Sequence, residues 1–136
     1  MRHRKSGFKL GRTASHRRAL YANLCRSLIK HERIETTHTK AKALKTYADK
    51  LFSKARSGDI AAHRAVFAAI GDKKMTKKLF EVVLPRYDDR PGGFVRIIQR
   101  GYRKGDGAPV SYVELVEMGE GYDAPRVIKL KKKITE

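Results

Sequence analysis

Phe94-Val-Arg-Ile-Ile-Gln-Arg100, Gly101-Tyr-Arg-Lys-Gly-Asp-Gly-Ala-Pro109 and Val110-Ser-Tyr-Val-Glu-Leu-Val-Glu-Met118 follow one another without interruption. The outer two segments are rich in β-branched residues, and the middle one holds the glycines and proline of a turn, so the three read as a β-hairpin. A phosphate-binding loop is the competing reading of Gly101 to Gly107. It would need a Gly-Lys-Ser/Thr ending that opens a helix, and neither is present. Apolar residues occur on both faces of the second strand, Val110, Tyr112 and Val116 on one and Val113 and Leu115 on the other. A strand covered on both sides belongs in the middle of a sheet.

Working back from the hairpin, the pattern changes from period two to helical spacing. Asp72 caps a helix with Met75, Leu79, Val82 and Val83 turned inward and Pro85 closing it. Asp59 caps another, with His63, Val66, Phe67 and Ile70 on one side and Gly71 as its stop. Thr39 is placed to cap a longer helix over residues 40–57, with Leu44, Ala48, Leu51, Phe52 and Ala55 on one face and Gly58 after it. Arg33-Ile-Glu-Thr-Thr37 is short and alternating, a strand or extended connection that would pair beside the second hairpin strand. Ser15 is placed to cap a first helix over 16–31, striped by Leu20, Tyr21, Leu24, Cys25 and Leu28. The order α-β-α-α-α-β-β implies an α+β fold in two layers, with helices packed on a small antiparallel or mixed three-stranded sheet.

Charge defines the ends. The 136 residues carry 32 Lys and Arg against 14 Asp and Glu, a formal net charge of +18. Such self-repulsion disfavours a compact free chain unless a polyanion offsets it. No acid precedes Glu32, and residues 1–14 combine spaced cations with Gly7 and Gly11, which leaves nothing local to offset the entropy of ordering them. Residues 1–14 are therefore expected to form an extended basic arm, 15–118 one α+β domain, and 119–136 a flexible basic tail containing Lys131-Lys-Lys133. A single cysteine, Cys25, excludes an internal disulfide and fits a reducing compartment. The longest apolar runs, such as Ala65 to Ile70, are too short for a membrane span, and no secretory signal is visible, so a cytoplasmic protein is expected.

The expected chemistry is contact with phosphate. In the arm, Arg2, His3, Arg4, Lys5, Lys9 and Arg12 supply charge, and Phe8 can stack on an unpaired base. His16, Arg17 and Arg18 extend that surface onto the first helix. Arg86 and Arg90 lie in a Pro- and Gly-bounded loop, with Tyr87 beside them as either a contact or a core residue, and Arg103 and Lys104 lie in the hairpin turn. No cofactor or small-molecule substrate is implied. The five histidines and single cysteine lack zinc-site spacing. Glu81, Asp88 and Asp89 are imaginable as ligands of a metal-dependent nucleic-acid-processing enzyme, although adjacent Asp residues more often make turns or pair with arginine. A DNA-binding nucleoid protein also matches the charge.

Met1-Arg-His-Arg-Lys-Ser-Gly-Phe-Lys-Leu-Gly-Arg12, Ser15-His-Arg17, Lys30-His-Glu-Arg-Ile-Glu-Thr-Thr37, Lys40-Ala-Lys42 and Pro85-Arg-Tyr-Asp-Asp-Arg-Pro-Gly-Gly93 together resemble the bacterial large-subunit ribosomal protein L-seventeen family. The resemblance implies the same two-layer element order. It also implies a structural, non-enzymatic constituent of the large ribosomal subunit, bound to its ribosomal RNA on the peptide-exit-tunnel side with protein L-thirty-two as a neighbour. On this match Lys40 and Lys42 join the RNA contacts. Phe8 stands where the family commonly has a basic residue, and the tail after about residue 118 extends past the family's usual end.

Overall fold

A helix begins where a side-chain or backbone oxygen can take the first free N–H groups, and those positions fix the fold's joints. The computed structural model of the protein describes residues 7–119. Helix α1 spans Ala14–His31 and is capped by Thr13, whose hydroxyl accepts from the His16 N–H at 3.4 Å. Ser15, the expected cap, already lies inside the first turn, because the Thr13 carbonyl takes the first helical bond, from the Arg17 N–H at 2.9 Å. The helix ends at Glu32 in left-handed backbone, φ 60°. Strand β1, Arg33–Thr37, runs directly into α2, His38–Ala55, so the helix starts two residues earlier than a Thr39 cap would allow, with Thr37 at the cap position and no side-chain cap bond. A hydrogen bond of 2.7 Å between His38 Nδ1 and Ser111 Oγ ties that start to the sheet.

The next two joints follow the sequence. Asp59 caps α3, Ile60–Ile70, by accepting from the Ala62 N–H at 2.7 Å, and Gly71 stops it at φ 72°. Asp72 caps α4, Lys73–Lys78, accepting from the N–H groups of Lys74 and Met75. Pro85 does not close this helix as expected. The chain widens into a π turn over Leu79–Val83 and tightens into a 3-10 turn over Leu84–Tyr87, with Pro85 inside the latter. The physical reason is that Pro85 has no N–H for the Glu81 carbonyl and its ring would collide with that oxygen in a regular helix.

The strands are Val95–Tyr102 (β2) and Pro109–Leu115 (β3), in an antiparallel sheet of order β1-β3-β2. The last strand is central, as its two apolar faces require. Ile34 and Ile97 flank Val113 on the inner face, and Arg33 and Arg96 flank Glu114 on the outer face. A bulge between Gln99 and Gly101 shifts the register before the turn. The helices cover the inner face, where Leu28, Leu44, Phe52, Val66, Leu79, Phe94, Val113 and Leu115 form the core. Phe94 sits between Phe52 at 5.9 Å and the edge of Tyr87 at 5.3 Å, ring geometry that adds about 0.5–1.5 kcal/mol per pair beyond area burial.

Three residues expected inward are not. His63 is exposed, Phe67 is 42% exposed and Val82 is 45% exposed. The core takes only Ala62, Val66 and Ile70 from α3, a narrower stripe than the sequence offers. For Val82, the wide turn rotates the chain so that Leu79 and Val83 are the residues it buries, with Phe80 packed partly against the core.

Candidate nucleic-acid interface

An arginine can hold a phosphate only if a carboxylate of its own chain does not already occupy it, so the ion pairs sort the candidates. On the sheet layer the cations are engaged. Glu114, almost wholly buried on the outer face, is covered by the guanidinium groups of Arg33 and Arg96, and Arg33 also lies over the Tyr112 ring at 3.7 Å. Arg100 pairs with Glu35 at 2.5 Å across the sheet. In the hairpin turn, both prongs of Arg103 bind Asp106, which holds that carboxyl well below the usual carboxylate range. Lys104 beside it has no carboxylate partner among the described residues.

The Arg86 loop is also built inward. Both carboxylate oxygens of Glu32 accept from Arg86, at 2.9 and 3.1 Å, and the Gly119 N–H donates to the same carboxylate at 2.8 Å, with Lys78 at 3.6 Å. Burial would raise the Glu32 carboxyl, but the Arg86 and Gly119 hydrogen bonds and the two cations outweigh it and hold Glu32 below its ordinary value. Arg90 pairs with Glu117 at 3.3 Å. Tyr87 is a core residue: its hydroxyl donates to the Phe94 carbonyl and accepts from the Glu117 N–H, each at 3.1 Å. This loop closes the end of β3 against the C-terminus of α1.

On the helical layer Lys45 pairs with Asp49 at 3.2 Å and Lys78 with Glu32, but most cations are unpaired. Lys9, Arg12, Arg17, Arg18, Lys40 and Lys42 have no carboxylate within ion-pair distance among the described residues, and neither do Lys50, Lys54, Arg64, Lys73 or Lys77. Local geometry gathers several of them. Residues 9–12 turn tightly through Leu10 (φ 56°) and Gly11 (φ 63°), and Arg17 donates to the Arg12 carbonyl at 2.6 Å, which folds the arm onto α1. Gly7 and Phe8 then lie in a groove with Tyr21 of α1 and Thr46, Tyr47 and Lys50 of α2. Tyr21 and Tyr47 stack at 5.3 Å beneath it. Among the described residues no α-helix carries an acid in its first turn, although the positive end of a helix favours one. His16 and Arg17 stand at that end of α1 and Lys40 at that of α2, which an external anion would relieve.

Of the expected contacts, Phe8, Lys9, Arg12, His16, Arg17, Arg18, Lys40 and Lys42 thus fall on the arm and helical layer. Arg86, Arg90 and Arg103 are bound within the fold, and Arg2, His3, Arg4, Lys5 and the tail from residue 120 lie outside the described residues. Lys50 and Lys54 were not among the expected contacts. Their signal was present: Lys42, Thr46, Lys50 and Lys54 recur at four-residue spacing on one side of α2. Among the described residues no group of three His, Cys, Asp or Glu converges as a metal site, and the Asp88 carbonyl serves instead as acceptor for Arg56 at 3.1 Å. No helix of the described residues is long and apolar enough to cross a membrane.

The fold and its charges define a class: a small, strongly basic α+β protein whose uncompensated cations lie mainly on one layer and an arm. Residues 20–116 match the family described as Ribosomal protein L17. The chain is 53% identical over 116 residues to the large ribosomal subunit protein bL17 of Campylobacter concisus, covering 85% of this chain and 98% of that one. It is 49% identical over 134 residues to the protein of the same name from Geotalea daltonii, covering 98% and 71%. For that of Geobacter metallireducens the figures are 50% over 117 residues, 86% and 66%. The chain belongs to this family of large-subunit ribosomal proteins, whose role is structural rather than enzymatic.

Proposed function

We propose that the chain holds its place in the large ribosomal subunit by gripping folded ribosomal RNA with its arm and helical layer. The sheet and the Arg86 loop maintain the shape that presents them. The partition of cations carries this reading: those on the strands neutralise the chain's own carboxylates, while most of those on α1, α2 and the arm, Lys45 with its Asp49 partner excepted, are left for an external polyanion. Their targets are mainly phosphates, so they set position and register on the RNA more than base identity. Because the protein binds one arrangement of RNA segments better than open ones, binding stabilises the folded RNA by mass action. The family resemblance supports the finer reading of a site on the exit-tunnel side beside protein L-thirty-two, in the bacterial cytoplasm.

The test is the salt dependence of binding to large-subunit ribosomal RNA. Deleting residues 2–12 should leave the circular dichroism of the domain intact while lowering affinity. The slope of log affinity against log salt should fall by about 0.7–0.9 for each phosphate that the shortened chain no longer neutralises. An unchanged slope would count against the arm as a phosphate-binding element. Competition by duplex DNA at equal strength would favour a nucleoid protein instead, and chemical cross-linking in intact subunits tests the L-thirty-two neighbour.

A further inference from the structure

Helix α3 reads Ile60-Ala-Ala-His-Arg-Ala-Val-Phe-Ala-Ala-Ile70, apolar on every side except His63 and Arg64. A helix of that composition is ordinarily buried all round. Here the core covers one stripe and leaves Ile60 71% and Phe67 42% exposed. Beside Phe67 a groove of about 460 Å³ runs between α3 and α4, within the size range of small-ligand sites. His63 and Phe80 line it as a stacked pair, ring centroids 3.6 Å apart and planes within 15°. Arg64, Lys73 and Lys77 also line it, all exposed and none with a carboxylate partner among the described residues.

From these features we infer that the α3–α4 groove is a second RNA site, one that takes an unpaired nucleobase stacked on Phe67 and the His63–Phe80 pair. The flanking phosphates lie on Arg64, Lys73 and Lys77. This inference rests on the RNA-binding reading above and adds a stacking site remote from the arm. Three observations select the occupant. The unpaired cations call for an anion, which an apolar helix lacks. Flat rings call for a flat partner, and every base has a π face. The backbone N–H groups of the walls are spent within their own helices, so an extended peptide would find no ladder to join. A base carries its polar groups on its edge, where the exposed Glu81 stands to meet a donor, the Thr76 hydroxyl being given inward to the Asp72 carbonyl at 2.7 Å.

The test uses the full chain and large-subunit ribosomal RNA at fixed salt. Phe67→Leu keeps the apolar bulk and removes the ring. It should weaken binding by about 5- to 140-fold, the loss of one stacked base, without altering the salt slope. Phe67→Trp should restore binding, and ultraviolet cross-linking of the unaltered chain should join RNA to the peptide carrying His63 and Phe67. If Phe67→Leu binds as the parent does while the arm deletion lowers the slope, the RNA-binding reading stands and the stacking site is refuted. Normal RNA binding by Phe67→Leu with failed entry into subunits would also overturn it, by assigning the groove to a protein neighbour. If the parent chain fails to bind the RNA, the underlying reading fails first.

Discussion

Glu32 joins three distant parts of the chain through one carboxylate, reaching Arg86, Lys78 and Gly119 from the end of α1. Its oxygens are mostly out of water, so removing a partner strands a charge as well as breaking hydrogen bonds. Arg86→Ala should lower stability by about 2–3 kcal/mol, read as a reduced urea midpoint at constant slope. Because the folded chain holds Glu32 below its ordinary value, its contribution is complete above the unfolded carboxylate range, about 4.3. It is lost as pH falls through the folded value, so the stability gap between the parent and Glu32→Gln should close in acid and be full at neutral pH. Cys25 behaves oppositely in chemistry: burial pushes its thiol up to about 12. A thiol reagent at pH 8 should therefore label Cys25 only at the rate of unfolding, and rapid labelling of native protein would contradict its buried position. None of the Glu32 clamp was legible in the sequence. Its partner Arg86 lies 54 residues away, and a loop arginine among prolines and glycines looks the same whether it faces RNA or a carboxylate.

Among the elements, what was legible follows from local chemistry. Asp59 and Asp72 were readable as caps because a short carboxylate before a helix has one main use, and each accepts strongly placed N–H groups. Replacing either by Ala should cost about 0.5–2 kcal/mol of stability, whereas Thr13→Ala, which loses a 3.4 Å exposed bond, should sit at or below the bottom of that range by thermal melting. The central place of β3 was readable from two apolar faces, since one-sided alternation marks an exposed strand and β3 lacks it. The inward face of α3 was misread for an equally physical reason. Val66, Phe67 and Ile70 have core spacing, and periodicity does not say whether a stripe meets the chain's own core or another molecule. The π turn before Pro85 was hidden because proline predicts disruption without saying whether the helix stops or widens.

At the scale of the whole molecule, charge separates into a sheet layer whose strand arginines are neutralised within the chain and a helical layer whose cations are mostly not, and mutation should separate them in the same way. Lys42→Gln with Lys50→Gln should lower the salt slope of RNA binding by about 1.4–1.8 and leave the melting temperature nearly unchanged. Arg96→Gln should do the reverse, lowering stability because Glu114 loses a cover, with little change in slope. The sequence disclosed the total charge but not this division, which depends on cross-strand neighbours such as Arg33, Glu114 and Arg96. The same cross-strand order bears on how the protein is made. The backbone of strand β1 pairs only with β3, so residues 33–37 leave the synthesising ribosome with no strand partner until residues 110–114 follow. At ordinary elongation rates that wait is on the order of 4–15 seconds. A newly made chain therefore completes its helices first and spends that interval with an open strand edge, the period in which a chaperone or early RNA capture would protect it from pairing with another copy.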